Sequence, residues 1–240
     1  MKILELNKFF HEKVSFSSLS ITANNVYADM GYRKSEPEEP IIALTETLLN
    51  EMEHISSPSY AFKLYKGNVI DETVNLYEPE TRNPKPETQN ILKVGPILSS
   101  LLHGSEYFAI FVATAGNSFQ SFQDKLKNED DILKSYVADT IGSCIAEAAG
   151  DYMERMLEKE IGSFRHTHRF SPGYCGWYLT GQKEIFRLLG GKPCDISLSD
   201  VCLMKPIKSI SGVIGIGHEV NEKTYGCSFC ELETCYKRRK

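Results

Sequence analysis

The chain predicts a mixed α+β protein, and three features of the sequence carry that expectation. Residues 41–54 and 129–161 place apolar side chains at helical spacing. Residues 60–65, 74–77, 91–94 and 107–114 are short apolar runs of strand length set between turn residues. Proline and glycine mark where one kind of segment gives way to the other, as Pro96 and Gly104 do at the two ends of a short helix.

At 240 residues, 41% hydrophobic and 25% charged, the chain has the composition of a soluble globular protein. Its length suffices to bury roughly three quarters of the unfolded surface. No apolar run approaches the ~20 residues of a membrane span. Residues 1–10 mix Lys, Glu and Asn among apolar side chains, unlike a secretory leader. A net charge of −5 argues against a nucleic-acid platform, and the basic run Lys237-Arg238-Arg239-Lys240 reads as a solvated terminus. The expectation is a cytoplasmic protein with neither membrane nor nucleic acid as partner. Cys144, Cys194 and Cys202 are scattered along the chain and read as small core hydrophobes rather than disulfide partners.

In chain order, residues 14–21 read as a strand, and residues 24–33 end around Gly31. An acidic, proline-bearing loop at 35–40 leads into the 41–54 helix, where Ile41, Leu44, Leu48 and Met52 share a face. The strands at 60–65 and 74–77 read as separated by Lys66-Gly67-Asn68. Residues 78–86 hold Pro79, Pro84 and Pro86 and read as a loop. After the 91–94 strand, the Pro96 helix and the 107–114 strand, Ala115-Gly116-Asn117 turns the chain into another short helix. A single glycine there falls short of a dinucleotide fingerprint.

The longest element spans 129–161. Its apolar pairs recur every four residues from Ile132/Leu133 to Met156/Leu157. An α-helix turns in 3.6 residues, so this stripe advances about 40° per step and winds roughly two thirds of the way round. Such a helix meets different partners along its length, as a central strut would; Gly142, Ala146 and Gly150 permit close approach near its middle. Residues 163–170 read as a strand carrying Arg165, His166 and His168. The two histidines share a face, but with no carboxylate or cysteine beside them in that segment they read as a solvated strand face rather than a metal site. Thr180 is an N-cap candidate for a helix closed by Gly190-Gly191, and Trp177 fits the core or a ligand platform. Residues 208–217 read as a strand whose Gly212, Gly215 and Gly217 permit close approach by a ligand or another backbone.

The segment Arg169-Phe170-Ser171-Pro172-Gly173-Tyr174 concentrates chemistry in six residues. Proline fixes its own φ and keeps Ser171 extended, and Gly173 supplies the positive φ of a type II turn. A planar fork of donors at Arg169 suits a carboxylate, backbone groups at a tight turn suit a flat heterocycle, and the Tyr174 ring can close over either. On chemistry alone, an ordinary strand-exit turn with a surface arginine remains the alternative.

Taken together, Arg169-x-Ser171-Pro172-Gly173-Tyr174, a helix through 183–189 and Pro206-x-Lys208-Ser209-x-Ser211-Gly212 resemble the activation domain of cobalamin-dependent methionine synthase. Tyr27-Ala28-Asp29-Met30-Gly31-Tyr32-Arg33 is similar to the N-terminal region of small, stand-alone relatives. The resemblance is strongest over 91–217. It implies an α+β fold built on a curved antiparallel sheet with flanking helices and one long central helix. It divides the chain into a region at 1–86 that packs on the main domain, an activation-domain-like core at 87–220 and a cysteine-rich tail at 221–240. It further implies that Arg169, Ser171, Pro172, Gly173 and Tyr174 bind S-adenosylmethionine. Ala146-Glu147-Ala148 is similar to a helical segment of the family and adds Glu147 to that set; a solvated helix carboxylate is the plainer reading of Glu147. No catalytic acid or base is implied, because the domain's task is to hold the sulfonium methyl over cobalt while the inactive cobalt(II) of cobalamin is reduced and remethylated.

Two departures from the full-length enzymes stand out. Cys175-Gly176-Trp177 replaces a Pro-x-Cys-Pro run, and Val213 and Ile214 stand where aromatic residues follow Ser-x-Ser-Gly. The resemblance covers neither a cobalamin- nor a substrate-binding module, and the expectation is a chain without them. The resemblance therefore implies action in trans on a corrinoid protein or a shortened methionine synthase, with a separate electron donor.

Cys227-x-x-Cys230-x4-Cys235 is a second chemical signal. A Cys-x-x-Cys turn can direct two thiolates at one metal, and Cys235 can complete a pocket face. Three thiolates are one short of a closed zinc site, so zinc with a further ligand such as Cys175 or His218, an iron–sulfur cluster with an open position, and three free thiols all remain open. Two alternatives to the main reading follow from this tail: an iron–sulfur reductive activator of another corrinoid methyltransferase, and a non-catalytic zinc-knuckle binding module.

Overall fold

β5 (Tyr107–Thr114) lies between two cores because its side chains are apolar on both faces. Ala109, Phe111 and Ala113 enter one core; Phe108, Ile110 and Val112 enter the other. That two-residue alternation is the pleat of a strand buried on both sides. In this computed structural model, which describes residues 4–77 and 90–220, β5 pairs antiparallel with β2 (Ser59–Ile70) on one side and with β9 (Ser209–Gly217) on the other.

The sheet runs β4 (Asn90–Lys93), β3 (Thr73–Tyr77), β2, β5, β9, β6 (Arg165–His166), with β1 (Phe9–Lys13) also paired to β2. All of these pairings are antiparallel, and the sheet curls into a half-barrel. β7 (Ser197–Leu198) and β8 (Met204–Lys205) form a separate two-stranded ribbon. Strands from both sides of the expected 86/87 boundary are thus hydrogen-bonded neighbours in one sheet.

One face is covered by α1 (Ala23–Met30), α2 (Glu39–Ile55), α4 (Asn117–Leu126) and the 30-residue α5 (Ile132–Ile161). α3 (Gly95–Leu101) and α6 (Gln182–Leu189) cover the other face, with Trp177 buried among them. α5 touches β2, β5, β9, α1, α2 and α4, the succession of partners that a winding apolar stripe requires. Ile141, Ile145, Met153 and Leu157 are fully buried along it, each contributing about 1.5–3 kcal/mol by leaving water. The start of the stripe is different: Ile132, Leu133 and Tyr136 remain exposed. Cys144, Cys194 and Cys202 are buried and reduced; burial pushes the Cys194 thiol up to about 12, so it stays neutral.

Several expected elements moved. The first strand is β1, and residues 16–19 form a 3-10 turn where a strand was expected. Lys66-Gly67-Asn68 does not break the chain: β2 runs through it, and the reversal comes at Asp71, in the left-handed region at φ 50°, and Glu72. Gly67 is required by packing, since a Cβ there would overlap the Asn75 carbonyl of β3 and lie 3.1 Å from the Phe108 ring. The strand expected over 163–170 pairs only at Arg165–His166 and rejoins β9 through an isolated bridge between Phe170 and Val213. Thr180 lies inside a 3-10 turn over 179–181 and caps nothing, while Gly190 closes α6 at φ 92° as expected.

Candidate functional site

The site grows from the point where the chain leaves the sheet. The Phe170 N–H donates to the Val213 carbonyl (3.0 Å) and the Val213 N–H to the Phe170 carbonyl (2.9 Å), pinning the residue before Ser171 to β9. Gly212 makes this approach possible: a Cβ there would overlap the Phe170 carbonyl and sit 2.9 Å from the Phe111 ring. The close approach anticipated for the β9 glycines is, at Gly212, that of another backbone. Beyond the bridge the Tyr174 N–H donates to the Ser171 carbonyl (3.3 Å) with Gly173 at φ 95°, which is the expected type II turn. The Gly173 N–H donates to the Trp177 carbonyl (2.7 Å), and Trp177, 2% exposed, anchors the loop in the α3/α6 core.

This turn borders a groove of about 600 Å³ at the edge of β9. Glu147, Asp151 and Glu154 of α5 form one wall. Gln182 of α6, Met204 and Cys175 contribute to the other side, and Phe111, Ser209, Ile210 and Ser211 contribute from the sheet. Of the residues expected at a ligand site, Arg169, Ser171, Pro172, Tyr174 and Glu147 all line the groove; Gly173 sits between two that do. Tyr174 is 63% exposed, so its ring stands at the mouth.

Arg169 is the best-held charge in the groove, its side chain 17% exposed. Nη2 lies 2.6 Å from the Asp151 carboxylate and 3.4 Å from that of Glu147, Nε lies 3.6 Å from Glu154, and Nη1 donates to the Glu147 carbonyl at 3.4 Å. The guanidinium therefore faces the groove and is already ion-paired there. Asp151 and Glu147 are more than half exposed, so each pair is screened and worth about 0–1 kcal/mol. A ligand carboxylate entering the groove would exchange with these partners at small cost. On the far side, Glu154 and Glu158 lie 3.6 Å and 3.4 Å from the His166 imidazole, so Glu154 sits between Arg169 and His166.

The sequence of residues 32–240 matches the family model described as vitamin B12 dependent methionine synthase, activation domain. The chain belongs to that family. Its fold is similar to the crystal structure of the MetH reactivation domain bound to AdoHcy, with a TM-score of 0.68 at 16% identity over 92% of this chain and 82% of that one. Among curated proteins, none matches the sequence.

Within this activation domain, sequence reasoning missed Asp151 and Glu154. The signal was present: Glu147, Asp151 and Glu154 stand at i, i+4 and i+7 on α5 and so share a face. Gln182 and Met204 carry no local sequence signal that marks them for a site. His168 reaches the groove and His166 faces α5. Among the described residues no group of three or more His, Cys, Asp or Glu side chains is arranged to hold a metal. Cys227, Cys230 and Cys235 lie outside the described residues. No helix among the described residues is long and apolar enough to cross a membrane.

Proposed function

We propose that this activation domain binds S-adenosylmethionine in the β9-edge groove and serves, in trans, the reductive remethylation of cobalamin on a corrinoid protein or a shortened methionine synthase. The observation that carries the reading is the convergence of Arg169 and the Ser171–Tyr174 turn on one groove of nucleoside size. Charge is divided along that groove: Arg169 and three carboxylates lie toward α5, while Gln182, Met204, Phe170 and Pro172 offer a neutral surface toward α6. The zwitterionic amino-acid end of S-adenosylmethionine suits the first, with Arg169 on its carboxylate and Glu147 near its ammonium. The heterocycle suits the second, against the backbone of Ser171 and Gly173, with Tyr174 over the reacting end.

The chemistry needs an electron and a methyl group. An external donor would reduce the partner's cobalt(II), and S-adenosylmethionine, when bound, would supply the methyl group and be left as S-adenosylhomocysteine. This chain's residues would position the sulfonium and exclude water, which is consistent with a groove built from an anchor, a turn and a phenol. Exposed apolar side chains on the two loops that contribute Tyr174 and Met204 to the groove support docking of a macromolecular partner: Tyr174, Tyr178 and Leu179 on one, Val201 and Leu203 on the other.

Cys227, Cys230 and Cys235 we assign to an iron–sulfur cluster or zinc, to be decided by iron, sulfide and zinc analysis after anaerobic purification; a metal-free protein ends that assignment. The functional test mixes the chain with a cobalt(II) corrinoid protein, a reductant and S-adenosylmethionine carrying a labelled methyl. Label on cobalt that depends on the chain supports the proposal; equal labelling without the chain, or none with it, overturns it.

A further inference from the structure

Two side chains in the groove wall carry polar atoms that no protein group satisfies. Gln182 is 6% exposed and its Oε1 is buried without a hydrogen-bond partner; Ser211 is 1% exposed and its Oγ is likewise unpartnered. Both residues line the same groove. Leaving such an atom unpaired costs about 1–3 kcal/mol, so two of them lining one groove mark where a ligand's polar edge belongs.

We propose that Gln182 is the residue that selects the base, reading the 6-amino edge of adenine through its side-chain amide, with Ser211 as an auxiliary contact. This rests on the reading of the groove as a site for an S-adenosyl ligand. An amide offers an acceptor oxygen beside a donor nitrogen. Adenine offers the complementary pair, the N6 amino donor next to a ring-nitrogen acceptor. With the amide oriented as it is here, a 6-oxo purine presents an acceptor to Oε1 where a donor is needed.

Placement fixes which end of the ligand Gln182 meets. It is the first residue of α6, across the groove from the α5 carboxylates that hold Arg169. An amino-acid end held at Arg169 therefore leaves the heterocycle on the Gln182 side. Phe170, Pro172 and Met204 supply apolar surface there, as a flat ring requires. The backbone holds Gln182 in place: the Gly181 N–H donates to the Tyr178 carbonyl (2.9 Å), and Gly190 closes the far end of the helix.

The test is calorimetric titration of the full chain with S-adenosylhomocysteine and with its deaminated analogue, S-inosylhomocysteine. Wild type is expected to prefer the adenosyl ligand by about 10–100-fold, the range that one lost hydrogen bond to a buried group supplies. Gln182→Met, which keeps the shape and removes both polar atoms, is expected to bind S-adenosylhomocysteine about tenfold more weakly and to bind the two ligands within about threefold of each other. Ser211→Ala is expected to lower the affinity for both ligands alike.

Unchanged affinity in Gln182→Met overturns the proposal while leaving the S-adenosyl site standing. So does a lowered affinity with the preference intact, which would move Gln182 to the ribose. Wild type that binds neither ligand overturns this proposal together with the reading on which it rests. If Gln182→Met fails to fold by circular dichroism, Gln182→Glu is titrated with the same pair. It keeps the acceptor and loses the donor, so weaker binding with the adenosyl preference retained supports the assignment, and wild-type affinity overturns it.

Discussion

Gly150 leaves open the space that the Arg169 guanidinium fills. A Cβ at this position of α5 would overlap the guanidinium and lie 2.6 Å from Ile210 Cδ1. The helix gives up side-chain surface where the arginine must cross it, and the arginine gains acceptors at Asp151, Glu147 and Glu154. Gly150→Ala is expected to leave helix content unchanged, since alanine favours the helix by about 1 kcal/mol over glycine. Displacing the guanidinium should lower S-adenosylhomocysteine affinity by about tenfold, equivalent to roughly 1.4 kcal/mol. Circular dichroism and calorimetry on one preparation check both halves; wild-type affinity would count against Arg169 as the anchor.

Gly212 makes a different prediction, about stability. Its hydrogen atoms allow the Phe170 carbonyl to reach the Val213 N–H. Gly212→Ala should break that bridge and cost about 2–3 kcal/mol, the scale of overpacking in a tight interior. Urea unfolding measures it. A midpoint within error of wild type would show that the loop can shift away from β9 without cost.

Two cysteines should respond oppositely to alkylation. Burial holds Cys194 as a neutral thiol, its pKa raised to about 12, and neutral thiols are poor nucleophiles. Cys175 is partly exposed and lines the groove. In native protein at pH 8, peptide mapping after iodoacetamide should find Cys175 modified well before Cys194, with saturating S-adenosylhomocysteine protecting Cys175. Labelling of Cys175 that is indifferent to the ligand would place the ligand elsewhere.

Lys208 joins the start of β9 to α5, with Nζ 2.8 Å from Asp139 and 3.0 Å from Ser143 Oγ. Asp139 is exposed, so the charge pair itself contributes about 0–1 kcal/mol. The aliphatic stem, packed over Gly142, does more. Lys208→Met should therefore be milder than Lys208→Ala in urea unfolding. Equal losses would show that the charge, not the stem, is what holds.

Elements set by local chemistry were legible in the sequence. β5 followed from an unbroken apolar run, the span of α5 from its stripe, and the Ser171–Tyr174 turn from Pro-Gly. What escaped was set by contacts distant in sequence. Gly67 looked like a turn residue because only neighbours from other strands, the Asn75 carbonyl of β3 and the Phe108 ring of β5, explain a glycine inside β2. The site was legible in part for the same reason. Its turn and its arginine sit within six residues, whereas Asp151, Gln182 and Met204 join them only once the sheet has curled. Asp151 and Glu154 were readable as a helical face with Glu147; nothing local distinguished Gln182 from any other polar residue at a helix start.

If Arg169 anchors an S-adenosyl ligand in this groove, its removal must weaken binding. Titrating S-adenosylhomocysteine into wild type and Arg169→Ala by calorimetry tests it most directly. One site per chain is expected, with affinity falling by about 10–100-fold in the variant as a charge-assisted bidentate pair is lost. No binding by wild type, or equal affinity in both proteins, would contradict it.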